Sequence, residues 1–309
     1  MGTRASLLAR TQSGHVAAAL TRATGRAVEV VLVRTEGDTL SAEGRIPSAG
    51  DSVGVFVRAL DDALRRDEID FAVHSLKDVP TEYAPDLLMA AVPTRADVRD
   101  ALVVATRHPA RRLHELPRGA RVATASPRRV AQLLRLRPDL TTVTMAGNVD
   151  TRIRRLEEGR ADALILACAG LDRLAFGGKI TLRIPLEELL SAPAQGALGI
   201  SCRRDDADAA ALLATLDDPL ANAAATAERS LLSALRAGCR APVAAFATPA
   251  EGRTLILRAR VLALDGSEML EDEGTGPIAD PAGLGRAVAE RLLSRGALRL
   301  VTEARAEGR

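Results

Sequence analysis

The sequence predicts an α/β protein of three parts: two similar α/β lobes, then a small α+β unit. Three observations predict it. At 309 residues the chain is too long for one comfortable core. Short apolar runs alternate with helical patterns over the first two thirds, which argues for α/β lobes with mostly parallel strands. Composition and pattern then change near Asp217-Asp218-Pro219.

In the first lobe, Ser6 caps a helix expected from Leu7 to about Thr24, with Gly25 as its stop. Val-rich Ala27 to Arg34 reads as a strand. Gly37 to Gly54 reads as a long loop, a length usually reserved for function. A helix is expected at about Val55 to Arg66 and a buried strand at Phe71 to Ser75, ending in the polar cluster His74-Ser75-Leu76-Lys77-Asp78. Strands follow at Leu87 to Val92 and Ala101 to Val104.

The second lobe opens in a similar way. Arg121 to Thr124 is a strand, Ala125-Ser126-Pro127 a turn, and Arg128 begins a helix with Pro127 near its first position. Strand, helix and strand continue at Thr142 to Met145, Ile153 to Glu158 and Ala163 to Ala167. The third part offers a helix from about Leu220 to Leu235, a loop around Cys239, strands near Thr254 to Leu264, a helix from Ala282 to Leu293 and a further strand at Leu298 to Val301.

Composition narrows the function. Nearly balanced charge (+2), with one Tyr, four Phe and no Trp, leaves few stacking platforms for nucleic acid. The four His show no metal-ligand spacing. No Gly-x-Gly-x-x-Gly or Gly-x-Ser-x-Gly turn is present. The longest apolar stretch, around Ala163 to Leu171, is too short for a bilayer, and Met1-Gly2-Thr3-Arg4 lacks the pattern of a signal peptide, so the expected compartment is the cytoplasm. Three scattered cysteines fit that compartment. Cys168 and Cys202 lie in apolar runs and read as core. Cys239 sits in a Gly- and Pro-marked loop beside Arg240, which favours thiolate.

Only two of the 42 basic residues are lysines, Lys77 and Lys179. Several arginines stand where strands give way to helices. Arg4 precedes the first helix, Arg128 and Arg129 open another, Arg152 follows Gly147-Asn148-Val149-Asp150-Thr151, and Arg173 follows Ala169-Gly170-Leu171-Asp172. Guanidinium groups beside helix N-termini make a site for carboxylates or phosphates; solvated surface arginines are the plain alternative. Asp78, after an apolar strand, is placed to steady a cation or shuttle a proton, or more simply to pair with Lys77 in a loop.

Taken together the motifs resemble the hydroxymethylbilane synthase (porphobilinogen deaminase) family over nearly the whole length. They are Gly2-Thr3-Arg4-Ala5-Ser6, Ala72 to Pro80 (AVHSLKDVP), Asp97 to Leu102 (DVRDAL), Ser126-Pro127-Arg128-Arg129, Gly147 to Arg152 (GNVDTR), Ala169 to Leu174 (AGLDRL), Ala192 to Ala197 (APAQGA) and Gly238-Cys239. The resemblance implies two lobes like type II periplasmic binding proteins, 1–95 with 197–214 and 99–191, plus a small domain at 219–309 that carries the cofactor loop. It implies a dipyrromethane cofactor held by a thioether to Cys239. Four porphobilinogens would each lose ammonia to give an azafulvene-type cation, join head to tail, and leave as hydroxymethylbilane. Asp78 falls on the family's catalytic carboxylate. Arg4, Ser6, Lys77, Thr124, Ser126, Arg128, Arg129, Gly147, Arg152, Arg173 and Gln195 fall on cofactor- or substrate-contacting positions, and Phe56 on an aromatic near the cofactor. The expected assembly is a monomer, with neither nucleic acid nor membrane as partner. Some positions depart from the family pattern. Ala146 stands where the family commonly has Arg, with Arg154 and Arg155 nearby; Val53 replaces a lysine of the loop Arg45 to Gly54; and Ala-Gly-Cys-Arg-Ala-Pro replaces Gly-Gly-Cys-Gln-Val-Pro. A two-lobed receptor for a small anion, without catalysis, is the competing reading; Cys239 and Asp78 speak against it, because a receptor needs neither.

Overall fold

The structure, a computed structural model, describes residues 1–34, 57–238 and 241–307. The expected loop from Gly37 to Gly54, with Phe56 and Cys239, lies outside the described residues.

Helix α1 (Leu7–Thr24) matches its expected ends: the Ser6 hydroxyl accepts from the Ala9 N–H, and Gly25 closes it in the left-handed conformation. It leads from β1 (Gly2–Arg4) to β2 (Val31–Val33), shorter than the expected Ala27 to Arg34. Helix α2 (Arg58–Arg65) precedes β3 (Phe71–Ser75), and β4 (Leu87–Ala91) completes the segment. The chain then crosses over to β5 (Asp100–Val104), β6 (Arg121–Ala123), α3 (Pro127–Leu136), β7 (Thr141–Val143), α4 (Val149–Glu157), β8 (Ala163–Ala167), α5 (Cys168–Arg173) and β9 (Leu182–Arg183). It crosses back to β10 (Leu198–Arg203) and α6 (Ala207–Ala214).

The two sheets have the same plan. Their orders are β2-β1-β3-β10-β4 and β7-β6-β8-β5-β9. In each, helices join the three strands that pair in parallel, and the strand that follows the crossover enters antiparallel beside them, as β10 does against β3 and β5 against β8. The lobes are therefore those of type II periplasmic binding proteins. The expectation of mostly parallel strands needs correction: each sheet holds two parallel and two antiparallel pairings. A strand arriving from the other lobe enters at the opposite end from strands fed by a helix of its own lobe.

The last part packs α7 (Pro219–Ala234), α8 (Pro281–Ser294) and α9 (Ala297–Glu307) with an antiparallel sheet of β11 (Val243–Ala250), β12 (Thr254–Leu262) and β13 (Met269–Pro277). The expected strand at Leu298 to Val301 is instead helical. Ala297, Leu300, Val301 and Ala304 are buried at helical spacing, and they fill the same core as Leu231 and Leu257, Ala304 excepted. Strand β13 escaped the sequence reading because its Gly- and acid-rich run has low strand propensity. A side chain at Gly274 would start within 2.8 Å of Val288 Cγ2, so this glycine lets α8 lie close on the sheet.

Candidate functional site

A cavity of ≈ 310 Å³ opens between the two lobes. Its lining gathers Arg4, Ser6, Lys77, Asp78, Arg129, Gly147, Arg152 and Arg173, eight of the expected residues. They come from the ends of β1 and β3, the N-termini of α1, α3 and α4, and α5. Gln12, Asn148 and Asp150 join them. Five cationic side chains thus face two carboxylates, Asp78 and Asp150.

Lys77 and Asp78 lie on a 3-10 turn, Leu76–Asp78, directly after β3. The buried Leu76 side chain fixes this turn, and the Leu76 N–H donates to the Ala197 carbonyl at 3.1 Å. From α7, Arg229 donates to the Val79 carbonyl at 2.9 Å and the Pro80 carbonyl at 2.6 Å. Glu228, one residue earlier, is fully buried and holds Arg95 in a two-pronged pair at 2.7 and 2.9 Å. It also accepts from the Ala247 N–H at 2.8 Å. The helix that leads to Cys239 is thereby fastened both to the turn bearing Asp78 and to Arg95 on the crossover.

Asp78 is exposed to the cleft, whereas Lys77 is half-buried. Burial pushes the Lys77 ammonium down to about 8, with Arg129 adding and Asp78 opposing. Burial also pushes Arg152 down to about 10, with Arg129 adding and Asp78 again opposing. Burial lowers Arg173 as well. Arg152 Nε donates to the Gly147 carbonyl at 2.6 Å, and Arg173 Nη2 to the Gly196 carbonyl at 2.8 Å. Each guanidinium is thus aimed by a backbone carbonyl.

Four expected residues are not in the cavity lining. Arg128 is buried, with Nη1 on Asp100 Oδ2 at 2.8 Å and on the Leu190 carbonyl at 2.7 Å. Gln195 is fully buried; its Nε2 donates to Asp100 Oδ1 at 2.9 Å, and its Oε1 accepts from Lys77 Nζ at 3.4 Å. Thr124 is buried, its hydroxyl accepting from the Ser126 N–H at 3.3 Å. Ser126 caps α3 by conformation without a side-chain bond. Arg129 is shared between wall and cleft, since its Nε and Nη2 reach Asp100 Oδ1 at 3.0 and 2.7 Å.

Asp100 was not singled out from the sequence. Burial alone would raise its carboxyl, but Arg128 and Arg129 outweigh this and hold it far below the usual range. Two arginines in the first turn of α3 oppose the helix dipole; a buried carboxylate answers both. The carboxylate site expected at this helix start is therefore partly filled by the protein's own acid. Its only sequence signal was membership in the string Asp97 to Leu102. Arg154 pairs with Glu158 at 2.6 Å on the surface, whereas Arg155 Nη1 reaches back to the Ala146 carbonyl at 2.8 Å. His74 is structural: Nε2 meets Ser201 Oγ at 2.9 Å, and burial pushes the ring down to about 4, with Arg4 adding to the shift.

Fold and site together define a two-lobed protein whose cleft suits a small anionic molecule. The family model described as "Porphobilinogen deaminase, dipyromethane cofactor binding domain" matches residues 1–211, and "Porphobilinogen deaminase, C-terminal domain" matches residues 222–294. Porphobilinogen deaminase 1 of Streptomyces coelicolor is 47% identical over 315 residues, covering 98% of this chain and 97% of that one. Porphobilinogen deaminase of Roseiflexus castenholzii is 46% identical over 297 residues, covering 96% of each. Among solved structures, the periplasmic aliphatic sulphonate binding protein SsuA of Escherichia coli aligns with a TM-score of 0.38 at 16% identity, over 76% of this chain and 69% of that one, a likeness too slight to add to the strand orders. The chain belongs to the porphobilinogen deaminase family. Its activity is that of a hydroxymethylbilane synthase, a transferase that polymerises porphobilinogen and carries a dipyrromethane cofactor. Among the described residues, no helix is long and apolar enough to cross a membrane, and no cluster of His, Cys, Asp or Glu fits a metal ion.

Proposed function

We propose that Asp78 is the carboxylate that serves each condensation, and that the cations around it bind the acetate and propionate groups of the pyrroles. The observation that carries this reading is the exposed Asp78 carboxylate in a cavity lined by five cations. The donor set fits dipyrromethane, whose two rings carry four carboxylates. Lys77, Asp78, Thr124, Ser126, Arg128, Arg129 and Gly147 would hold it. Cys239 would anchor it and Phe56 would lie near it. When bound, the group supplies a terminal pyrrole whose free α-carbon is the nucleophile. Arg4, Ser6, Arg152, Arg173 and Gln195 would bind the incoming porphobilinogen.

As the bond from the aminomethyl carbon to ammonia breaks, positive charge spreads over the substrate pyrrole. Asp78 accepts a hydrogen bond from that ring N–H and offsets the charge, a gain made only in the transition state. The new carbon–carbon bond forms at the same aminomethyl carbon. The one proton that the condensation releases is taken up by the departing ammonia, which leaves as ammonium, so the step balances. Asp78→Asn removes the charge with little change of shape. The expected result is intact-protein mass still carrying the cofactor on Cys239, with turnover reduced by roughly 10²-fold or more. Normal turnover would remove Asp78 from the mechanism.

We further infer the domain division given by the sequence, 1–95 with 197–214, 99–191 and 219–309. The pairing of β10 with β3 and β4 supports it. A monomer in the cytoplasm that binds no nucleic acid completes the reading. It is supported by free, buried thiols at Cys168 and Cys202 and by the near absence of stacking aromatics. Light scattering at working concentration tests the monomer, and a dimer mass would overturn it.

A further inference from the structure

A second cavity, of ≈ 470 Å³, lies beside the cleft, lined by Val143, Met145, Ala146, Arg155, Glu158 and Arg160 among others. Gly147 lines the first cavity and Ala146 the second, so two consecutive residues form the partition. One has a methyl side chain and the other none. Gly147 has φ +110°, and a Cβ there would sit 3.2 Å from Thr151 Cγ2, so the partition stays thin. Guanidiniums hold both of its carbonyls. Arg152 takes that of Gly147 at 2.6 Å on the cleft side, and Arg155 takes that of Ala146 at 2.8 Å on the far side. The two arginines are three apart on α4, hence neighbours on one face.

Charge on the far side is unbalanced. Glu158 is engaged by Arg154 at 2.6 Å. Among the described residues, neither Arg155 nor Arg160 has a carboxylate partner, and the Arg155 side chain has one hydrogen bond, to Ala146. The cavity is therefore a cationic hollow next to a cleft that handles polycarboxylates. The cleft's ≈ 310 Å³ is at the small end for ligand pockets. A chain that grows by four pyrroles on a two-ring cofactor must outgrow it.

We propose that this second cavity receives the acetate and propionate groups of a pyrrole unit moved out of the cleft as the chain lengthens, with Arg155 and Arg160 as their partners. The proposal rests on the hydroxymethylbilane synthase reading. Arg155 acts on late additions, whereas Asp78 acts on every one.

The test is Arg155→Gln and Arg160→Gln, made separately and together in the holoenzyme. Each is mixed with porphobilinogen for a few turnovers, and the covalent complexes with one to four added units are weighed by intact mass. The expected result is a ladder that stalls at the third or fourth unit in the double variant. Passage from early to late complexes should slow about tenfold in each single variant, the loss of one charge-assisted contact, and further in the double variant. Arg155→Lys, which keeps the charge, should restore part of it. A ladder with wild-type proportions in the double variant would overturn the proposal while leaving the activity itself in place. If the wild-type protein formed no ladder at all, the underlying reading would fail first. Far-ultraviolet circular dichroism and retained cofactor mass separate a stalled variant from an unfolded one.

Discussion

Asp100→Asn is the perturbation that most directly probes how the cleft is built. Asp100 is fully buried and accepts from Arg128 at 2.8 Å, from Arg129 at 2.7 and 3.0 Å, and from Gln195 at 2.9 Å. Removing its charge leaves two guanidiniums, Arg128 3% and Arg129 7% exposed, without a counter-ion. Breaking a buried pair from one side costs about 3–5 kcal/mol. With a urea dependence of about 2 kcal/mol per M, the midpoint should fall by roughly 1.5–2.5 M. Activity should fall as well, because Gln195 spans Asp100 and Lys77 and Arg129 lines the cavity. Urea titration followed by circular dichroism, alongside steady-state turnover, measures both. A midpoint within about 0.3 M of wild type, roughly 0.6 kcal/mol on that scale, with unchanged turnover would refute the view that Asp100 is the anchor of the arginine wall.

Two pH experiments follow. Asp61 accepts from the Tyr83 hydroxyl at 3.0 Å, and burial pushes it up to about 6, whereas His74 is pushed down to about 4. For His74 the unfolded chain holds more protons between pH 4 and 6.5, so its contribution makes stability rise with pH across that window, by about 3 kcal/mol. For Asp61 the folded chain holds more protons between about pH 4 and 6, so its contribution makes stability fall as pH rises, by a similar amount. Relative to wild type, Asp61→Asn should therefore show a more positive slope of stability against pH, and His74→Gln a more negative one; parallel urea-midpoint profiles for all three proteins would disprove the assignment. Lys77, at about 8, loses its charge as pH rises through that value, so kcat/KM should decline above pH 8. Lys77→Arg stays charged and should carry that limb to higher pH; an unmoved limb would assign it to another group.

Local rules made much of this protein legible. Helix α1 could be read with both caps because Ser6 and Gly25 act within one turn of its ends. Strands β3 and β8 could be read because short apolar runs abut polar clusters. The placement of Arg4, Lys77, Asp78, Arg152 and Arg173 at one cleft followed from their positions where strands hand over to helices. What could not be read locally was pairing. Whether β10 and β5 run antiparallel depends on which lobe the chain has just left. The fate of Leu298 to Val301 depends on the apolar face that α9 finds in the third core. The buried charge network is of the same kind: Asp100, on the first strand after the crossover, meets Arg128, Arg129 and Gln195, which nothing in their local sequence announces. A side chain's neighbours along the chain fix its conformation and the element that carries it. Which charges it meets, and whether those charges are left for a ligand, is decided only when distant strands come together and water is excluded between them.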